Sequence, residues 1–387
     1  MELRRKCRHF PGDRPCRFHK ETGVICPECS HFSERGTSVL IIKLEALGDV
    51  LRTTSVLRAL HRRYEPCSVT WVTSRAATDL FAGNDLVDEV LAASDAAIPM
   101  LQAREFDLVI NPDASPMSCA LASMARGRRK QGFTLSPEGH VEPLGAAAEE
   151  WLRLGSFDHL KKENRKTYQR ILHDMCELDP AGQHIVLNLT ENESSNAASM
   201  KRLLEPGCRG PIVGVNTGAG ARWTHKKWRV DGFIELIGML LDETDAGVML
   251  LGGTAERERN ARIKSHFGSR VADACQENLR DFIREVGLCD VVVTGDTLAL
   301  HAALGLKKRV VALFGPTSPW EVDVYDLGQK IVAGLECVCC YKADCDNKPN
   351  CMDMIDAREV FRALIEELEH VRREVITEKI MVGEPGR

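Results

Sequence analysis

Along most of this chain, short continuous apolar runs alternate with longer stretches of helical period. Val39-Leu40-Ile41-Ile42 is the first such run, the mark of a strand covered on both faces. Leu47-Gly48-Asp49 then turns the chain into a helix, with Val50, Leu51, Thr54, Leu57 and Leu60 on one stripe and Arg52, Arg58 and Arg62 elsewhere. Ser68–Val72, Val87–Leu91 and Leu108–Asn111 read as further strands with helical segments between them. Right-handed β-α-β crossovers make this alternation a parallel sheet. Residues 134–183 are polar and carry a weaker pattern, with helical pieces at Ala146–Leu152 and Thr167–Glu177. His184–Leu189 reads as one more strand, and the helical segment Glu193–Leu204 stops at the breaker Glu205-Pro206-Gly207.

The pattern then starts again. Strands are expected at Pro211–Asn216, Gly247–Leu251, Asp290–Thr294 and Arg309–Phe314, with helices at Val230–Leu241, from Ala255, at Leu279–Gly287 and at Leu298–Leu304. An amphipathic helix over Asp356–Val375 closes the series. The expectation is an α/β protein of two doubly wound, Rossmann-like domains, residues 37–204 and 205–387, preceded by a Cys-rich appendage over residues 1–36. Ligands of such sheets sit beyond the carboxyl ends of the strands.

The composition of the 387 residues, 44% hydrophobic and 28% charged, fits globular domains of ordinary size. A net charge of −5 gives no global reason to expect nucleic acid. Charge is uneven, however: residues 1–36 hold eight Lys/Arg against five Asp/Glu, and basic runs recur at Arg126–Lys130 and Lys161–Lys166. These runs face solvent, or phosphates and anionic lipid. No signal-peptide core or run of about 20 apolar residues is present, so a cytoplasmic protein is expected, at most peripheral to a membrane.

Candidate chemistry gathers at strand ends. Past Asn216 come Thr217-Gly218-Ala219-Gly220-Ala221-Arg222-Trp223 and then Thr224-His225-Lys226-Lys227-Trp228. Glycines let backbone N–H groups approach an anion, and Lys226 can add a full positive charge beside a diphosphate. The same residues also suit a tight β-to-α turn. Past Val291–Val293, Asp296 or Thr297 fits a helix N-cap, and His301 follows Thr297 by four residues, on the same face. Leu313-Phe314-Gly315-Pro316-Thr317-Ser318-Pro319 is a third turn of small residues.

Taken in order, Val39–Lys43 with Gly48-Asp49-Val50-Leu51, the Gly218–Trp228 segment, Gly295-Asp296-Thr297 with His301, and Leu313–Pro319 resemble glycosyltransferase family 9, the ADP-heptose–lipopolysaccharide heptosyltransferases. The resemblance covers residues from about 38 to 370 and leaves the appendage outside. It implies a GT-B fold and inverting transfer of a heptose, or a related sugar, from a nucleotide sugar such as ADP-heptose to a lipopolysaccharide core acceptor, with no cofactor required. The partners it implies are the nucleotide sugar and a lipid-linked oligosaccharide at the cytoplasmic face of the inner membrane. By motif position, Asp49 resembles the catalytic carboxylate and Lys226 the lysine on the diphosphate. Thr217, Gly218, Gly220, Asp296, Thr297 and His301 resemble the remaining donor contacts. Glu256 falls near the ribose, with Glu258 an equal candidate. Thr224-His225 stands where Pro-Thr is common, and Leu298-Ala299 where Gly-Pro or Gly-Leu is common. Relatives that transfer heptose to a protein (autotransporter) offer a second acceptor class, and a non-catalytic nucleotide- or metal-binding sensor or a GT-B epimerase are alternatives on the same fold.

Of the 15 cysteines, Cys7, Cys16, Cys26 and Cys29 form a C-x8-C-x9-C-x2-C series suited to structural zinc or an iron–sulfur cluster. Cys337, Cys339, Cys340, Cys345 and Cys351 form a second group. In a reducing cytosol such groups mean metal more often than disulfides.

Overall fold

The computed structural model describes residues 2–200, 210–220, 224–342 and 345–382. The chain folds into two compact units, one of Met1–Arg153 with Gln169–Gln183, the other of Leu154–Tyr168 with His184–Arg387. The breaker at Glu205-Pro206-Gly207 lies outside the described residues.

In the first unit, strands β1 (Thr37–Ile42), β2 (Cys67–Thr73), β3 (Glu89–Ala92), β4 (Glu105–Asn111), β5 (Arg126–Leu135) and β6 (Val141–Leu144) form one sheet in the order β3-β2-β1-β4-β5-β6. All pairs are parallel except β5 with β6. Central β1 is buried on both faces. Leu40 and Ile42 pack with Val72, Phe106 and Val109, while Val39 and Ile41 are equally sealed opposite them. The helix after β1 is less regular than its stripe predicts, with α-turns at Leu47–Thr53 and Leu57–Arg63 joined by a 3-10 turn at Thr54–Val56. Thr53 and Thr54 hydroxyls donate back to the carbonyls of Asp49 (2.6 Å) and Leu51 (2.7 Å), which accounts for the tightening.

The second unit repeats the plan. Strands β7 (Ile212–Asn216), β8 (Gly247–Gly252), β9 (Val271–Cys275), β10 (Val291–Gly295), β11 (Arg309–Phe314) and β12 (Gly328–Val332) pair in parallel in the order β12-β11-β10-β7-β8-β9. Val213, Val215, Leu250, Val293 and Val311 face the helices Val230–Glu243 and Ala357–Val382, which supply Phe233, Leu236, Leu240, Val360, Leu364 and Leu368. In each unit the first and fourth strands in chain order lie side by side, β1 with β4 and β7 with β10. This is the point where the winding reverses and crossovers leave to opposite sides.

His184–Leu189 is not a strand. Ile185, Val186 and Leu187 are buried, but as extended chain laid against helix Leu298–Gly305. There a Cβ on Gly305 would come within 2.9 Å of Ile185 and Leu187. The apolar run reflects packing on a helix without a ladder partner. No helix among the described residues is long and apolar enough to cross a membrane.

Candidate active site

In the first unit the polar groups converge where β1 and β4 end. Asp49 lies in the first turn of helix Leu47–Thr53, and Arg52 holds its carboxylate at 2.8 Å. The Asp49 side chain keeps 39% exposure while Arg52 keeps 12%, so the carboxylate is oriented yet open to solvent. Beside these strand ends is a pair the motif reading missed: Lys43 Nζ lies 3.4 Å from Asp113 Oδ2, with both side chains largely buried. Asp113 also accepts from the Leu44 and Ser115 amides, at 3.4 and 3.1 Å. The signal was present in Asn111-Pro112-Asp113, a polar turn directly after an apolar run.

In the second unit the ends of β7 and β10 are tied by Asn216, another residue the sequence did not single out. Its Nδ2 lies within hydrogen-bond reach of Thr294 Oγ1 (3.0 Å), Thr297 Oγ1 (3.2 Å) and the Gly218 carbonyl (3.2 Å). Thr297 is the N-cap of helix Leu298–Gly305 and accepts from the Ala299 amide at 3.2 Å. Lys226 Nζ lies 2.9 Å from Asp296 Oδ2, and the buried His301 places Nε2 3.9 Å from Asp296 Oδ1. Lys226, Asp296, Thr297 and His301 are therefore one cluster. Asp296 steers the ammonium, and the start of the helix adds its positive end.

The glycine-rich turn completes the cluster. Gly218 has no room for a side chain, because a Cβ there would meet Glu256 Oε1 at 2.3 Å. Glu256 is itself held by the Gly253 amide at 3.0 Å. Glu256 is thus buried against the turn while Glu258 is exposed. The Thr217 hydroxyl donates to Asn260 Oδ1 at 2.5 Å, so it anchors the turn from below. Gly220 adopts φ +68°, and Ala221, Arg222 and Trp223 lie outside the described residues. The third turn, Gly315–Pro319, is clasped by residues 339–341. Cys339 and Tyr341 amides donate to the Gly315 and Pro316 carbonyls at 3.0 and 2.9 Å, and the Ser318 amide donates to Tyr341 Oη at 3.1 Å.

Among the described residues no three His, Cys, Asp or Glu side chains close on one point as an ion would require. Cys7, Cys16, Cys26 and Cys29 are half-buried in a module whose regular elements, among the described residues, are helix Arg17–Thr22, the turn Cys26–Glu28 and the Cys7–Glu34 bridge. The later group is drawn closer. Asn347 Nδ2 donates to Cys337 Sγ at 3.5 Å, and Cys345 Sγ reaches the Asn347 carbonyl at 3.9 Å. Burial pushes the Cys351 thiol up to about 11, and neighbouring Cys340, Cys337 and Cys345 add to the shift.

The profile of glycosyltransferase family 9 (heptosyltransferase) matches residues 96–350. Lipopolysaccharide heptosyltransferase 1 of Escherichia coli K12 is 22% identical over 315 residues, covering 76% of this chain and 92% of the relative. Among solved structures, the family 9 glycosyl transferase of Veillonella parvula superposes with a TM-score of 0.69 at 16% identity, over 86% of this chain and 97% of that one. The E. coli heptosyltransferase WaaC with ADP-2-deoxy-2-fluoro heptose does so with a TM-score of 0.57 at 19% identity, over 86% and 99%. Two Rossmann-like sheets, polar clusters at both switch points and a family match over about two thirds of the chain agree: this chain has the GT-B-like α/β fold, belongs to glycosyltransferase family 9, the heptosyltransferase family, and is a glycosyltransferase.

Proposed function

We propose that the chain transfers heptose from ADP-heptose to a lipopolysaccharide core acceptor, inverting the anomeric centre and drawing on its own side chains for charge stabilisation. The observation that carries the reading is the cluster at the switch point of the second unit. There Lys226, Thr297 and His301 stand around Asp296 beside a glycine turn that admits no side chain. That set suits a nucleoside diphosphate, because a cation, helix-start amides and a close-approach backbone all favour phosphate oxygens. The WaaC relative was solved with an ADP-heptose analogue, which supports the same donor here.

In the proposed reaction an acceptor hydroxyl attacks the anomeric carbon and the bond from that carbon to the diphosphate oxygen breaks. Asp49 takes the hydroxyl proton as attack proceeds. The nucleoside diphosphate leaves with the bonding pair, and Lys226 with the helix-start amides stabilises its growing charge. Arg52, at 2.8 Å, keeps the Asp49 carboxylate pointed until the acceptor arrives.

The test supplies ADP-heptose with a heptose-free lipopolysaccharide precursor and, separately, a protein acceptor. Transfer to the precursor, abolished in Asp49→Asn with ADP binding retained, supports the reading. Turnover unaffected by Asp49→Asn refutes the base assignment, and transfer to protein alone refutes the acceptor.

A further inference from the structure

The Cys-rich appendage does more than cap the first unit. With the amino ends of β1, β2, β3 and β4 it forms a half-open cavity of about 1370 Å³. Gly36 and Ser38 at β1, Ser68 at β2, Glu89 at β3 and Glu105 at β4 mark its inner wall. Asp49 and the Lys43–Asp113 pair belong to the carboxyl ends of the same sheet, so the cavity lies at the opposite end from the candidate base.

The walls are charged, and the charge does not balance. Seven Lys/Arg line the cavity against five Asp/Glu, an excess of two. Arg8 is taken by Asp88 at 2.7 Å, and Arg104 by Glu89 at 2.5 Å. Glu105 is neutralised from outside by Arg126. Among the described residues, Arg5, Lys6, Arg17 and Arg35 have no ion-pair partner, though all four line the space. The appendage contributes all four, together with Glu34; the sheet and its loops contribute hydroxyls, the paired Asp88, Glu89 and Glu105, and Asp85. A local excess of positive potential is what a bound anion would relieve.

We propose that this cavity binds a phosphate ester, with Arg5, Lys6, Arg17 and Arg35 as its anion-binding groups. Guanidinium forks match tetrahedral phosphate oxygens in bidentate pairs, and three of the four groups are arginines. The volume exceeds the range of about 300–1,000 Å³ common for small-ligand pockets, leaving room for the group that carries the phosphate. Phe10, Pro11, Met100 and Phe106 supply an apolar wall for that remainder. The ligand is a phosphorylated sugar or the headgroup of an anionic phospholipid, which share this chemistry.

The test uses the full chain. Pyrophosphate and glucose 6-phosphate are titrated by calorimetry, and vesicles of phosphatidylglycerol with phosphatidylcholine by co-sedimentation. Each titration is run on the wild type and on Arg5→Gln/Arg17→Gln/Arg35→Gln, and each again in a Lys226→Gln background so that binding at the second unit is separated. The expected result is at least a tenfold weakening in the triple variant in both backgrounds, with its melting temperature unchanged. Loss of soluble phosphate binding identifies a free phosphate ester, and loss confined to vesicles identifies a headgroup. If the triple variant misfolds, Arg17→Gln and Arg35→Gln singly must each weaken binding by a smaller factor. Equal binding by wild type and variants, or binding of none of the probes by the wild type, overturns the proposal.

Discussion

Replacing Lys226 by Met removes a full positive charge that the structure pairs with Asp296, beside the helix capped by Thr297. Two consequences can be sized separately. The Asp296 carboxylate loses a partner at 2.9 Å, but its side chain keeps 18% exposure and His301 remains 3.9 Å away. Water can therefore replace part of the loss, and the stability cost is about 1–2 kcal/mol, below the cost of about 3–5 kcal/mol for breaking a sealed pair. The catalytic cost is larger. A donor aimed at charge that grows in the transition state contributes about 3–4 kcal/mol, so kcat should fall by about 10²–10³. Affinity for ADP should fall as well, because the proposed site sets the same ammonium against the diphosphate in the ground state. Asp296→Asn separates the two effects, since it keeps the lysine but removes an anion that competes with the diphosphate. Steady-state kinetics with ADP-heptose and calorimetry with ADP measure both. A Lys226→Met enzyme within tenfold of wild-type kcat, with ADP affinity intact, would refute the assignment of this cluster to the donor phosphates.

Three further substitutions probe what supports the sites. Gly218→Ala drives a methyl into Glu256, whose carboxylate must then leave the Gly253 amide; a stability loss of about 1 kcal/mol and weaker ADP binding are expected from thermal melts and calorimetry. Arg309→Met strands Glu367, only 3% exposed and paired with Arg309 Nε at 2.5 Å; denaturant titration should show a loss of about 3–5 kcal/mol, much of it recovered in Arg309→Met/Glu367→Leu. Glu285 is buried, its Oε1 bonded by Gln276 and its Oε2 without a hydrogen-bond partner among the described residues, and burial pushes its carboxyl up to about 7 from 4.5. The folded state therefore binds this proton more tightly than the unfolded chain. The contribution is complete below the ordinary carboxylate range and is lost as pH rises through about 7, up to about 3 kcal/mol in all. Glu285→Gln should abolish that part of the decline, and parallel pH-stability curves for the two proteins would refute the buried-acid account.

The strands legible in the sequence were the central ones. β1, β7, β8, β10 and β11 are sealed on both faces, so each shows as an unbroken apolar run. Of the outer strands, Val87–Leu91 was read at edge strand β3, but β5, β6, β9 and β12 were not. β5 begins Arg126-Gly127-Arg128-Arg129-Lys130, a stretch that composition alone assigns to a solvated surface. It is a strand because β4 templates one side while its first half stays in water. β9 and β12 are half-exposed edges with the same ambiguity. His184–Leu189 failed in the other direction: its apolar run is real, but its partner is a helix. Periodicity reports burial, and burial does not say what does the burying.

That asymmetry explains why the candidate residues stand out in the sequence and their supports do not. Both switch points lie at the carboxyl ends of the most legible strands, β1 with β4 and β7 with β10, so the polar residues after them stand out against apolar runs. Asp49, Asp296 and Thr297 are conspicuous for that reason. Asn216, Asp113 and Tyr341 do their work through bonds to residues 78, 69 and 23 positions away, and no local pattern marks such partners. Each unit also solves the same problem with opposite polarity. In the first, an arginine steadies a solvent-facing carboxylate; in the second, a carboxylate steadies a lysine. A base must remain anionic and open to an incoming hydroxyl, whereas a phosphate anchor must remain cationic and aimed before its ligand arrives. The two pairings are the arrangements that the proposed tasks, base for Asp49 and phosphate anchor for Lys226, would require.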